Sequence, residues 1–260
     1  MTPEPGGLDG AVALVTGSSS GAGAEIARTL ARHGCAVAIH CRNNVAAAEA
    51  VVAGITASGG KAASFLADLT NTEETRRLAA EVAGRLGTVT VLVNNAGPFA
   101  DAAYLDLAER DWDSIMAANL KAPYLLTQAI APAMIRNGWG RIVNLGATSA
   151  LVRTHSVYGL AKAALLHLTQ SLALELAPAV TVNAVVPSQI ASARTDRMPT
   201  YKAAAIEGTP LGRLVTEQEI ARMVATMCGP DFDFVTGQAI VMDGGRTLPR
   251  FPKLGTIPEA

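Results

Sequence analysis

Tyr158 and Lys162 stand four residues apart, the spacing that brings two side chains together on one helix face. A free phenol has a pKa near 10 and is a poor acid or base at neutral pH. An ammonium beside it favours the phenolate, so the pair can move a proton at a substrate oxygen. Far upstream lies a second chemical signal, Thr16-Gly17-Ser18-Ser19-Ser20-Gly21-Ala22-Gly23. It follows an apolar run ending Leu14-Val15 and opens a helix-forming stretch. Glycines there permit a tight turn and let backbone amides approach a pyrophosphate at the positive end of a helix. The spacing is G-x-x-x-G-x-G, not the commoner G-x-G-x-x-G, and such a turn alone is weak. Its strand–turn–helix setting is what gives it the reading of a nucleotide-cofactor loop.

The second strand ends His40-Cys41-Arg42-Asn43. Many dinucleotide sites carry a carboxylate there for the adenosine ribose hydroxyls. No acid follows this strand, and Arg42 stands in its place. A guanidinium matches a 2′-phosphate that a carboxylate would repel, so the sequence predicts NADP(H) rather than NAD(H). Asp68, just after the third strand, is suited to accept from the adenine amino group; a turn or cap aspartate would look the same.

These residues need a frame. Short β-branched runs alternate with alanine- and leucine-rich stretches, which predicts an α/β fold: a Rossmann-type, doubly wound parallel sheet of about seven strands with helices on both faces. Strands are expected over Ala11–Thr16, Ala36–His40, Ala62–Leu66, Val89–Asn94, Arg141–Leu145, Thr181–Val186 and Ala239–Met242. Helices are expected near Gly21–His33, Val45–Ser58, Thr72–Leu86, Glu109–Arg136, His155–Leu176 and Glu217–Cys228. Asn71 and Thr216, each followed by acids, read as helix N-caps. Residues 1–260 read as a single domain with its core over about 8–245. Ser188–Leu214 is the least regular stretch and sits where a lid would be; the tail 246–260 is expected to wrap the surface.

The bulk composition narrows the class further. Half of the 260 residues are hydrophobic and the formal charge is −1, which gives no basic surface for nucleic acid. No signal peptide is evident, and no run reaches the roughly 18 apolar residues of a membrane span. Cys35, Cys41 and Cys228 are odd in number and lack metal-ligand spacing. They read as free thiols, with no metal site, in a reducing compartment such as the cytoplasm.

With these residues in place, the chain resembles the short-chain dehydrogenase/reductase family from about Leu8 to Gly245. Thr16–Gly23 matches its T-G-x-x-x-G-x-G turn, Asn94-Asn95-Ala96-Gly97 its N-N-A-G strand end, and Tyr158-Gly159-Leu160-Ala161-Lys162 its Y-x-x-x-K. Asn119 falls where the family keeps a catalytic asparagine, and Asp243-Gly244-Gly245 matches its last turn. The resemblance implies Tyr158 as acid/base, Lys162 as its electrostatic partner on the nicotinamide ribose, and Asn119 holding a relay water. It also implies cofactor contacts from Gly17, Ser19, Ser20, Gly21, Ala22, Arg42, Asp68, Leu69, Asn95, Ala96, Gly97, Tyr158, Lys162, Pro187 and Ser188.

Two positions depart from the family. The serine that hydrogen-bonds the reacting oxygen falls on Ala147, and the stretch from there to Tyr158 is shorter than the family's. Losing such a donor costs about 2.7–4 kcal/mol, or roughly 100- to 1,000-fold in rate. Thr148 or Ser149 is in position to be re-aimed, with Ser149 preferred. Ser188 stands where the family often has glycine. Two readings follow. One is an NADP(H)-dependent reductase of a small ketone. The alternative is a protein of the same fold without redox chemistry: an isomerase, cyclase or dehydratase, or a cofactor-binding sensor or partner subunit. Substrate contacts are expected from Pro98–Tyr104, Thr148–His155 and Gln189–Leu214, including Phe99, Tyr104, His155 and Met198. The helix over Val157–Leu176 carries leucines on more than one face, so a homo-oligomer, dimer or tetramer, is expected.

Overall fold

The computed structural model describes residues 7–99, 102–152 and 156–248. In chain order its elements are β1 (Val12–Val15), α1 (Gly21–Arg32), β2 (Ala36–Cys41), α2 (Val45–Ala57), β3 (Lys61–Leu66), α3 (Thr72–Leu86), β4 (Val91–Asn94) and α4 (Glu109–Met116). A π-helical turn over Ala117–Lys121 leads into α5 (Ala122–Arg136), then β5 (Gly140–Leu145), a 3₁₀ turn (Thr148–Ala150), α6 (Val157–Leu176) and β6 (Val180–Pro187). There follow β7 (Ile190–Ala191), α7 (Ala193–Asp196), α8 (Pro199–Glu207), β8 (Val215–Thr216), α9 (Glu217–Cys228) and β9 (Ala239–Met242).

Seven strands form one sheet in the order β3-β2-β1-β4-β5-β6-β9, and every pairing in it is parallel. Alternation along each strand divides the core. Ala13, Val15, Val37, Ile39, Val91, Val93, Val143 and Leu145 point to the face covered by α1, α2 and α9, against Ile26, Leu30, Val51, Ile220 and Val224. Val12, Leu14, Ala38, Leu92, Ile142 and Val182 point to the face covered by α3, α5 and α6, against Leu78, Val82, Leu126, Met134 and Leu172. Because both faces are covered, β1, β4 and β5 are buried at every position, which explains why they are mainly apolar, with Asn94, Arg141 and Asn144 as buried polar exceptions. The edge strands β3 and β9 are only partly buried.

Caps place the helix starts. Asn71 accepts from the amides of Glu73 (2.9 Å) and Glu74 (3.1 Å), and Thr216 with Glu219 closes a capping box on α9, as the sequence predicts. Two segments differ from expectation. The helix predicted over Glu109–Arg136 is interrupted by the π turn, because Pro123 has no N–H to return to the Asn119 carbonyl and the i→i+4 ladder cannot pass through it. The amide of Ala122 instead reaches the carbonyl of Ala117. The stretch Ser188–Leu214 is more regular than its composition suggests. β7 pairs with β8, Ser192 and Thr195 form a capping box on α7, and Pro199 occupies the first turn of α8, where its missing N–H costs nothing. The tail expected to wrap the surface lies outside the described residues from 249 onward.

Candidate active site

The sheet reverses direction of winding between β1 and β4. In open α/β sheets the crevice at the carboxyl ends of such strands is where ligands bind. The glycine turn, the Asn94–Gly97 strand end, Gly146 and Pro187 all emerge there, from β1, β4, β5 and β6.

The turn after β1 is built for glycine. Gly17 and Gly21 have φ of +64° and +58°, the left-handed region that side chains rarely adopt. A Cβ on Gly23 would overlap the Gly17 carbonyl and come within 2.5 Å of Asn95 Nδ2. Asn95 Nδ2 donates to the carbonyls of Thr16 (2.9 Å) and Gly17 (3.2 Å). Thr16 Oγ1 in turn accepts from the amides of Asn95 and Ala96, both at 3.0 Å. The geometry therefore makes Asn95 and Ala96 a brace that ties β4 to the turn. Ser20, the residue before α1, makes no side-chain cap, and the first turn of α1 contains no acid. The first-turn amides of α1 thus have no partner from a Ser20 cap or an acid of their own turn, although Glu217 of α9 comes close to Gly21. That arrangement fits a pyrophosphate, with Ser19, Ser20, Gly21 and Ala22 around it.

Beneath the turn is a residue that sequence reasoning passed over as the end of a strand. His40 is 2% exposed. Its Nδ1 accepts from the Gly17 amide at 2.9 Å, and its Nε2 lies 3.0 Å from the Ala67 carbonyl. The two contacts together require the Nε2–H tautomer. Burial lowers the pKa of the ring; the Ala67 carbonyl and the charge of Asp68 oppose this without overcoming it. His40 therefore stays neutral and keeps its lone pair on Gly17. A polar ring inside an apolar strand, across from a glycine turn, was the available signal.

At the far end of this cleft Arg42 is exposed. It makes no ion pair among the described residues, so its guanidinium is available. Asp68 Oδ1 accepts from the amide (2.9 Å) and hydroxyl (2.8 Å) of Thr70. Burial raises the Asp68 pKa, but those bonds and the charge of Arg42 outweigh it and hold the carboxylate below its usual range. Leu69, next to it, is buried.

Tyr158 and Lys162 sit in the first two turns of α6, whose start is fixed by Ser156 Oγ accepting from the Gly159 amide at 3.2 Å. Lys162 is 3% exposed. Its Nζ donates to the Leu145 carbonyl at 2.7 Å and lies 5.5 Å from the centroid of the Tyr158 ring. Burial pulls its pKa down to about 8. The Tyr158 phenol is pushed up to about 12 by burial, offset in part by the charge of Arg194. The phenol pKa is thus raised rather than lowered as the spacing to Lys162 predicts, because desolvation prevails over the neighbouring charge.

Asn119 lies in the π turn, 1% exposed. Its Nδ2 donates to the carbonyls of Pro98 (3.1 Å) and Ile115 (3.0 Å). Its Oδ1 is shielded from water with no partner, and a Cβ on Gly97 would overlap that oxygen. Asn94 Nδ2 to Asn144 (2.8 Å), Asn144 Nδ2 to Thr169 (2.9 Å), and Thr169 to the Leu165 carbonyl (2.8 Å) form a buried chain binding β4, β5 and α6 together. Pro187 ends β6, and the amide of Ser188 donates to the Met242 carbonyl at 3.2 Å.

Ala147 precedes the 3₁₀ turn, in which Thr148 is buried. Ser149 Oγ is shielded from solvent and has no hydrogen-bond partner. Phe99 packs edge-on against Tyr158, with centroids 5.1 Å apart and planes at 72°. Tyr104 and Met198 are each about half exposed; His155 lies outside the described residues.

A family described as enoyl-(acyl carrier protein) reductase matches residues 17–247. The chain belongs to the short-chain dehydrogenase/reductase family. Family relatives include a 3-oxoacyl-[acyl-carrier-protein] reductase of Staphylococcus aureus, 36% identical over 237 residues that cover 90% of this chain and 96% of that one. A gluconate 5-dehydrogenase from Burkholderia cenocepacia, solved with NADP and tartrate, superimposes with a TM-score of 0.86 at 29% identity, covering 94% of this chain and 98% of that one. A blue fluorescent protein from a metagenomic library, solved with NADPH, has a TM-score of 0.83 at 32% identity, covering 92% and 99%.

Proposed function

We propose that this protein is an NADP(H)-dependent reductase of a ketone in a small organic molecule, with Tyr158 as proton donor. The observation that carries this reading is the protonated, largely buried phenol one helical turn from a buried lysine, at the crevice into which the glycine turn opens. When bound, the nicotinamide supplies a hydride to the carbonyl carbon. Tyr158 Oη gives its proton to the carbonyl oxygen as that oxygen gains charge. The Lys162 ammonium then offsets the charge left on the phenolate. Asn119, through its bonds to the Pro98 and Ile115 carbonyls, ties the loop after β4 to the π turn. Ser149 Oγ, a shielded donor without a partner, takes the place of the serine missing at Ala147 and hydrogen-bonds the reacting oxygen. The names of the Staphylococcus and Burkholderia relatives, a 3-oxoacyl reductase and a gluconate dehydrogenase, support carbonyl–alcohol interconversion as the reaction class.

Arg42 is the basis for preferring the phosphorylated cofactor, and the NADP and NADPH in two related structures support it. The purified protein should oxidise NADPH against a panel of ketones, followed by loss of reduced-nicotinamide absorbance. Arg42→Asp should weaken NADPH binding by about 100-fold while changing NADH binding far less, since a charge-assisted bond to phosphate is lost and a repulsion gained. Equal losses for the two cofactors would show that Arg42 does not read the 2′-phosphate.

A further inference from the structure

We propose that Arg194 and Phe99 form an anion subsite on the rim of the catalytic cleft, so that the substrate is a ketone bearing a carboxylate. The inference rests on the reading of Tyr158 as proton donor and adds the substrate class.

The contacts run in sequence outward from the phenol. Phe99 stacks edge-on against Tyr158 at 5.1 Å. The Arg194 guanidinium lies over the Phe99 ring, 5.4 Å from its centroid. Arg194 comes from α7, in the lid, while Phe99 follows β4, so two distant parts of the chain converge on one side of Tyr158. The guanidinium is near enough for its charge to act on the phenol.

Its neighbours make Arg194 distinctive. Lys202 pairs with Asp196 at 2.7 Å. Arg213 pairs with Glu219 at 2.6 Å. Arg197 Nε donates to the Ala193 carbonyl at 3.1 Å, and Arg246 donates to the Ala205 carbonyl at 2.8 Å. Among these cations Arg194 alone has neither a carboxylate nor a carbonyl partner among the described residues. It is held by an aromatic face, which orients a guanidinium while leaving its N–H fork free. A planar fork so presented fits a carboxylate bidentately. Tyr158 and Arg194 both contact the Phe99 ring, so a carbonyl placed on Tyr158 leaves a carboxylate a few bonds away within reach of Arg194. A cation beside the phenol also favours loss of its proton.

The test compares an oxo acid with its neutral methyl ester. The wild-type enzyme should prefer the acid, and Arg194→Ala should lower the acid-to-ester ratio of kcat/KM by about 10- to 100-fold, the range for losing a charged hydrogen bond, mainly through KM. Arg194→Lys should restore part of it. A wild-type enzyme indifferent to the carboxylate, or an Arg194→Ala variant with an unchanged ratio, would overturn the proposal. Binding of an unreactive carboxylate to the NADPH-loaded protein, read by cofactor fluorescence, separates the two claims. If that binding is lost in Arg194→Ala while no ketone is reduced, the anion subsite stands and the reductase reading falls. If no carboxylate binds and only neutral ketones are reduced, the reverse holds.

Discussion

Lys162 shows how one residue sets the working range of the site. Its ammonium is nearly sealed from water, and burial brings its pKa from the usual 10.5 to about 8, while the phenol it serves stays protonated up to about 12. Above about pH 8 the lysine becomes neutral before the tyrosine ionises. In the unfolded chain Lys162 keeps its proton to about pH 10, so between about 8 and 10 the unfolded state binds more protons. The contribution of Lys162 to stability therefore rises with pH across that window, and its burial cost is full below it. Activity should run the other way. At saturating NADPH, kcat/KM for the ketone should fall as pH rises through about 8. Lys162→Arg, charged throughout, should be slower but lack this limb. A limb that persists unchanged in Lys162→Arg would assign it to another group.

At the scale of elements, the turn after β5 is the part of the site that departs most from the family. Ala147 cannot donate, and the 3₁₀ turn Thr148–Ala150 leaves Ser149 Oγ shielded and unpartnered. Ser149→Ala should reduce kcat by about 100- to 1,000-fold with the fold intact, the usual effect of removing one such donor. Thr148→Val should retain most activity; the opposite pattern would assign the role to Thr148. Several elements were legible in the sequence because backbone geometry forces residue type. Gly17, Gly21 and Gly23 are glycines for conformational or steric reasons, and strands covered on both faces are mainly apolar. The π turn at Asn119 was not legible from periodicity, since the apolar pattern runs through it; Pro123 was its only local sign. His40 and Arg194 escaped notice for a different reason. Their roles depend on neighbours brought from elsewhere in the chain, the glycine turn in one case and Phe99 in the other.

For the molecule as a whole, the helices α4–α6 leave an apolar surface. Leu174 is 85% exposed, and Leu160, Tyr124 and Ile135 are each exposed by more than two-fifths. A cleft of about 860 Å³ lined by Ala117, Leu120, Lys121, Tyr124 and Leu168 lies on the same side. The leucines expected on several faces of α6 are thus divided between the sheet and this surface, which a second copy of the chain would cover. Light scattering should give a mass of two or four chains. Leu168→Glu should shift it toward one, because a carboxylate would then be buried in an apolar contact. A monomeric wild-type protein would contradict this. Among the described residues no helix is long and apolar enough to cross a membrane.

The most direct test of the account is Tyr158→Phe, assayed for ketone-dependent NADPH oxidation alongside NADPH binding. The substitution removes one oxygen from a ring already held by Phe99 and α6, so the fold and the cofactor cleft should remain. The account predicts loss of turnover by at least about 100-fold, the range expected for a positioned acid, with NADPH affinity nearly unchanged. A variant that keeps most of its activity would show that Tyr158 is not the proton donor.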